Sequence, residues 1–405
     1  MNEAGKNLAM ACTITTRYSA VRRQGFKDDK VARKEVQILD YTQQQHRILP
    51  LIACSYCFFF TGKKVLENLK SIESSLVNGE GDAVTKVEVS DLHASTSCLK
   101  SFCSTIAADG MEDLRKACGG HGFLQASGLP ELLGTYLQNP TVEGDNHMLP
   151  QQTVRVLLKI VQAVQNGDKD TILAYKKCDS IYLVQEISKV MNGQNCGCPV
   201  EHENEFLNVE VLLAAFKHRS ARMTMEAATL LQENIGVKGL SFQEAWNECL
   251  VQFARVSKAH ALYLLLKNFR DGVQGEYCSA IDRNGVSALK DMVLLFGLWF
   301  CEKDLGDFLE DGYFRTDHSN WIRKAVLKVL KRVRTNAVAL VDCWDFSDFR
   351  LKSALGKYDG NVYPAIMAST GKEPLNSTEP GPGYKEHLSR LIVGGVGVSG
   401  TISRL

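Results

Sequence analysis

Glu143 stands beside a glycine in Thr141-Val142-Glu143-Gly144-Asp145-Asn146, just ahead of a helical run that opens at Gln151. A carboxylate on such a loop can reach into a cleft and act as a general base, and the neighbouring glycine leaves room for a substrate. An acidic residue near a helix start, favoured by the macrodipole, explains the same pattern. Earlier in the chain, Cys118-Gly119-Gly120-His121-Gly122-Phe123 closes a helical stretch with adjacent glycines. Glycines permit positive φ and put no side chain between the backbone amides and a phosphate or cofactor. A helix stop followed by a turn is the alternative. His121 and Cys118 are of base and nucleophile type, but no oriented third partner can be identified for them, so they read as packing or backbone-positioning residues.

Arg22, Arg23 and Lys27 form a small basic cluster after Tyr18. Such a cluster is either a solvated helix face or, with Gln24 alongside, a clamp for a diphosphate. Two thiol arrangements bear on metal binding. Cys54 and Cys57 lie in an apolar stretch with no matching second pair, which points to core packing. Cys196, Cys198 and His202 offer three potential ligands, yet no metal is expected there.

These residues must be held by helices. The nine prolines leave 164 residues free of proline between Pro199 and Pro364, and that interval is filled with Leu, Ala, Lys, Glu and Arg. Helices suit it better than a turn-rich β fold. Leu207, Val211, Ala214 and Ala215 recur at helical spacing, as do Val326, Leu330, Val333 and Ala337, and Leu99, Phe102, Cys103, Ile106, Leu114 and Cys118 mark a third face. Glycines and prolines between Lys116 and Pro150 break the pattern and predict a long connection that carries function. The chain reads as all-α, in two helical bundle domains. Residues 1–165 carry the Gly-Gly and Glu-Gly segments, 166–205 form a connection and linker, 206–365 a C-terminal helical domain, and 366–405 a loosely ordered tail.

Composition narrows the function classes. With 47 Lys plus Arg against 46 Asp plus Glu, a net charge of +1 offers no general affinity for nucleic acid. The longest uncharged apolar stretch, residues 48–60, contains Pro50 and is too short to span a bilayer as a helix, so no membrane span is expected. Thirteen cysteines, an odd number set among apolar neighbours, read as reduced thiols of an intracellular protein. Residues 1–11 lack the pattern of a secretory signal. Ser403-Arg404-Leu405 is close to the Ser-Lys-Leu peroxisomal address.

Five segments, taken in order, carry a resemblance to a known family. They are Arg17-Tyr18-Ser19-Ala20-Val21-Arg22-Arg23-Gln24, Lys116-Ala117-Cys118-Gly119-Gly120-His121-Gly122-Phe123, the Glu143 segment, Asn336-Ala337-Val338-Ala339-Leu340-Val341-Asp342 and Tyr358-Asp359-Gly360-Asn361-Val362-Tyr363. Together they resemble the C-terminal half of the peroxisomal acyl-CoA oxidases, flavoenzymes related to the acyl-CoA dehydrogenases. The resemblance implies FAD as cofactor, fatty acyl-CoA and O2 as substrates, Glu143 as the base that removes the α-proton, and trans-2-enoyl-CoA and H2O2 as products. It also implies that Arg22, with Gly119 and Gly120, contacts a flavin diphosphate across a homodimer, and that Ser403, Arg404 and Leu405 meet a peroxisomal import receptor. Lys116 stands where the dehydrogenases have glutamine and Asp145 where they have threonine, which favours oxidase over dehydrogenase. Thr42 stands where the family often has glutamine and is left unassigned. Family members carry an N-terminal helical domain and a middle β domain before the segment at Tyr18. A chain without them is expected to look truncated and to be inactive alone. Two other readings stay open: a non-catalytic helical dimerisation partner of a full-length oxidase, and an acyl-CoA dehydrogenase.

Overall fold

The computed structural model describes residues 1–25, 35–78, 83–192 and 197–393. Lys27, Cys196, Ser403, Arg404 and Leu405 lie outside the described residues. No strand occurs among the described residues; the only β pairing there is an isolated antiparallel bridge between Arg23 and Gln37. The all-α expectation holds.

Three long helices open the chain: α1 (Asn2–Val21), α2 (Thr42–Val77) and α3 (Ala83–Ala117), each packed on the other two. Short α4 (Gly120–Phe123) and α5 (Leu129–Tyr136) follow, then α6 (Pro150–Asn166). Pro130 and Pro150 fall in the first turns of α5 and α6, where a missing backbone N–H costs no helical hydrogen bond. The connection contains α7 (Lys169–Ala174) and α8 (Tyr182–Met191). Beyond it come α9 (Val209–Gly236), α10 (Phe242–Glu248), α11 (Leu250–Gln274), α12 (Arg283–Lys303), α13 (Leu305–Leu309) and α14 (Thr316–Asp342). The short α15 (Asp348–Leu351), α16 (Val362–Thr370) and α17 (Ser389–Val393) complete the described elements.

Two helical readings need correction. Ala214 is exposed, because α9 starts at Val209 under an Asn208 cap and turns Leu212, Leu213, Ala215 and Phe216 into the core. Pro50 does not end its helix: α2 runs through it for 36 residues, held by packing on both sides of the proline. By length and composition α2 and α12 are therefore apolar enough to cross a membrane, contrary to the estimate from residues 48–60. In this fold 72% of the most apolar stretch of α2 and 56% of that of α12 is buried, as in the core helices of a folded domain.

One buried apolar cluster runs from Leu8, Phe58, Leu99 and Leu157 to Phe216, Leu264, Phe296 and Val329. Helices from opposite sides of the connection meet within it: α1 packs on α14, and α2 packs on α11, α12 and α14.

Candidate active site and cofactor-contact region

Between α5 and α6 the chain makes a series of turns that carry Glu143. Its backbone sits in the left-handed region at φ 57°, followed by Gly144 at φ 100°. A non-glycine residue held there is strained, by about 1–3 kcal/mol, and persists only where its surroundings fix it. Asn146 does the fixing. It is buried against α3, donating from Nδ2 to Ser104 Oγ and Thr105 Oγ1, both at 2.8 Å, while its carbonyl accepts from Ser101 Oγ at 2.7 Å. Lys100 adds a second tie, donating from Nζ to the Gly144 carbonyl at 2.6 Å and to Asn146 Oδ1 at 3.0 Å. Desolvation lowers the Lys100 pKa, opposed by the nearby carboxylates of Glu143 and Asp145. Glu143 itself projects into solvent.

A second region forms where α1 and α3 end. The Tyr18 hydroxyl shares a 2.8 Å hydrogen bond with His121 Nδ1, and burial pushes the Tyr18 pKa up to about 12. Arg22 donates from one terminal nitrogen to the Tyr363 hydroxyl at 3.1 Å and from the other to Gln24 Oε1 at 2.8 Å. The Tyr363 ring lies edge-on to His121, 6.4 Å between centroids. Arg22 is thereby brought to the Gly-Gly segment through Tyr363 and His121.

The three glycines of that segment differ in what they do. Gly119 has φ 62°, and nothing lies within 4 Å of where a Cβ would stand on Gly119 or Gly120, so both backbones face open space. At Gly122 a Cβ would run into the Arg115 carbonyl oxygen, so this glycine is needed for the helix stop. The helix-stop reading of the sequence thus applies at Gly122, while Gly119 and Gly120 are left with open space beside them. Cys118 is buried, and desolvation lifts its pKa to about 12, which removes it as a nucleophile.

Arg17, quoted in the sequence but given no role, is the anchor beneath this region. It is 5% exposed, donates from Nε to Asp342 Oδ1 at 2.9 Å and from a terminal nitrogen to the Gly356 carbonyl at 2.8 Å, and lies 5.1 Å from the Tyr358 ring centroid. Its signal was the family segment itself; the partners are more than 300 residues away in the chain. Four of the five segments converge here.

Glu143 is not among them. It is tied to Lys100, and roughly 25 Å of helix axis, at ~1.5 Å per residue, separates Lys100 from the end of α3 at Ala117. As for metals, no group of three or more His, Cys, Asp or Glu suited to hold an ion is gathered among the described residues. Cys54, Cys57 and Cys198 are buried free thiols.

Comparison with known proteins adds to this geometry. The profile of the acyl-CoA oxidase C-alpha1 domain matches residues 1–158, and that of acyl-CoA oxidase matches residues 208–393. Peroxisomal acyl-coenzyme A oxidase 1 of Rattus norvegicus is 36% identical over 392 residues, covering 96% of this chain and 56% of that protein. A putative peroxisomal acyl-coenzyme A oxidase 1.2 of Arabidopsis thaliana is 34% identical over 97% of this chain and 55% of its own length. Among solved structures, Arabidopsis thaliana acyl-CoA oxidase 1 superposes with a TM-score of 0.85 at 31% identity, over 97% of this chain and 56% of that one. Acyl-CoA oxidase-1 of Caenorhabditis elegans, complexed with FAD and ATP, gives 0.83 at 30% identity, again over 97% and 56%. The chain spans about half the length of the relatives it matches.

Proposed function

Because this chain belongs to the acyl-CoA oxidase family, and spans about half of its relatives' length, we propose that it supplies the base and the diphosphate contacts of a peroxisomal, FAD-dependent acyl-CoA oxidase. The observation that carries this reading is the strained, pinned loop of Glu143, a carboxylate held on an unfavourable backbone by a buried asparagine. In the proposed reaction Glu143 takes the proton from the α-carbon of a fatty acyl-CoA thioester. An α-C–H is a weak acid, so the base must be positioned against it and kept from water. Lys100 and Asn146 supply the positioning; exclusion of water needs a cover that the exposed Glu143 does not have among the described residues. For that reason the chain by itself is proposed to be inactive.

The residues at the second region fit a flavin diphosphate. Gly119 and Gly120 leave space for close backbone approach, and the Arg22 guanidinium has five N–H donors, of which Tyr363 and Gln24 engage only part. When bound, FAD supplies the acceptor for the β-hydride and returns the electrons to O2, giving trans-2-enoyl-CoA and H2O2. The length of α3 between Lys100, beside the Glu143 loop, and its end at Ala117 favours a homodimer in which the two regions of one chain serve different cofactors. Residues 1–165 would act as the site-bearing bundle, 206–365 as the C-terminal helical domain, and 366–405 as the tail presenting Ser403-Arg404-Leu405 to an import receptor, in keeping with the peroxisomal names of the relatives.

A second reading, a non-catalytic partner that dimerises with a full-length oxidase, draws on an apolar groove of about 460 Å³ at Phe123, Leu124, Leu133 and Leu137. One experiment weighs both. Fused to the N-terminal half of the Rattus norvegicus relative, the chain is expected to be yellow and to release peroxide with an acyl-CoA. In that fusion Glu143→Gln should retain the flavin spectrum and lose about 10²–10⁴-fold in turnover, the range for removing a general base. Undiminished peroxide release from the variant would sink the assignment of Glu143, and a fusion that never binds flavin would favour the non-catalytic partner.

A further inference from the structure

A polar cavity of about 370 Å³ opens between α8, α9 and α11, well away from the Glu143 loop in the chain. Lys189, Lys217, Lys267 and Arg270 line it, against the carboxylates of Glu186 and Glu210. Arg270 also lines a second cavity of about 310 Å³, where Leu207, Val209, Val273, Val293 and Leu294 form an apolar wall beside Asn208, Gln274 and Lys290. The Arg270 guanidinium pairs with Glu210 in the first turn of α9 and with Asp271 at 2.6 Å. That pairing places the side chain at the seam between the cationic cavity and the apolar one.

We propose that the two cavities form one site for a linear amphiphile, an anionic head on an aliphatic chain. The head sits among Lys189, Lys217 and Lys267, and the chain lies along Val273, Val293 and Leu294. Lys217 is the reason for placing the anion there. Lys189 is paired with Glu186 at 2.8 Å and Lys267 with Asp271 at 3.1 Å, whereas Lys217 makes no ion pair among the described residues, its ammonium standing 6.0 Å from the Tyr263 ring centroid. With the other three cations held in ion pairs, Lys217 is the cation of the lining left to meet an anion that enters the cavity. The existing pairs are partly exposed, so they are weak and exchange readily for a stronger anionic partner. The apolar cavity supplies what a simple anion lacks, a surface whose burial favours a hydrocarbon chain. Neither cavity includes Glu143, Arg22, Gly119 or Gly120, so the site stands or falls apart from the flavin reading.

Calorimetric titration of the full 405-residue chain tests it, with dodecyl phosphate and dodecanoate below their micellar concentrations and with inorganic phosphate and dodecanol as the separated halves. Dodecyl phosphate is expected to bind at one site and more tightly than either half. Lys217→Glu should weaken it by about tenfold or more, as expected when an attractive charge becomes a repulsive one. Leu294→Gln should weaken dodecyl phosphate while leaving inorganic phosphate unchanged. Both variants alter partly exposed positions, and unchanged thermal midpoints confirm their folding. Equal binding of dodecanoate assigns the head position to any anion, and a preference for dodecyl phosphate assigns it to phosphate; either supports the site. Binding that survives both substitutions, or inorganic phosphate binding as tightly as dodecyl phosphate, overturns it.

Discussion

Gly120 and Gly122 are two positions apart and face opposite demands. A methyl group on Gly120 meets nothing within 4 Å, whereas one on Gly122 meets the Arg115 carbonyl. Gly122→Ala is therefore expected to destabilise the chain by about 1–3 kcal/mol, the usual cost of overpacking, measured by denaturant unfolding. Gly120→Ala should leave that midpoint unchanged and lower flavin content in the fused protein. Equal effects of the two on stability would contradict the assignment of Gly120 to a cofactor. Asn146 is a comparable case beside Glu143. Asn146→Ala removes two buried donors to Ser104 and Thr105 and should cost about 1–3 kcal/mol, while slowing turnover in the fusion through a loosened base.

Among the elements, α3 shows how a buried carboxylate can oppose the fold that it helps to position. Asp91, 3% exposed, accepts a 3.0 Å hydrogen bond from the Asp179 backbone N–H and so ties the turn before α8 to α3. Desolvation, with the Asp179 carboxylate adding to it, raises the Asp91 pKa to about 6. In the unfolded chain the group titrates near the ordinary value of 3.8. Between these values the folded state binds the extra proton, so stability falls as pH rises from about 4 to about 6 and levels off above, a loss of about 3 kcal/mol from this group. Asp91→Asn keeps an acceptor for Asp179 and removes the charge. Its expected gain in unfolding free energy is largest at pH 7.5 and absent below pH 4; a gain independent of pH would show that Asp91 is not the titrating group.

The whole molecule is bound by its shared core and by charge at its far end. Arg219, 1% exposed, pairs with Asp304 at 2.8 Å and stands over the rings of Phe216 and Phe308, fastening the turn into α13 onto α9. Because α1 and α2 bury their apolar faces against α11, α12 and α14, thermal unfolding is expected to show one cooperative transition. Two well-separated calorimetric peaks would refute that coupling. The thiols give a second global test. Eleven of the twelve described cysteines are buried and Cys343 alone is exposed, so a thiol reagent should find Cys343 quickly in the native protein and the buried set only after denaturation.

Much of the fold was legible in the chain, because helix formation leaves local marks. The proline-free interval and the Val326-Leu330-Val333-Ala337 face act over short spacings and appear as helix in the structure, whereas the glycine-broken stretch before Pro150 also holds the short α5. Ala214 and Pro50 escaped that reading because the side a helix buries, and whether it survives a proline, depend on neighbours distant in sequence. Residue types at Glu143, Gly119 and Gly120 pointed to chemistry, but pattern alone left each of them two meanings. Packing adds what pattern lacks: it holds Glu143 on a left-handed backbone near the tied Asn146, leaves Gly120 open and closes Gly122. It also joins Arg22 to Tyr363 and Arg17 to Asp342 across more than 300 residues, and contacts of that span have no periodicity to announce them.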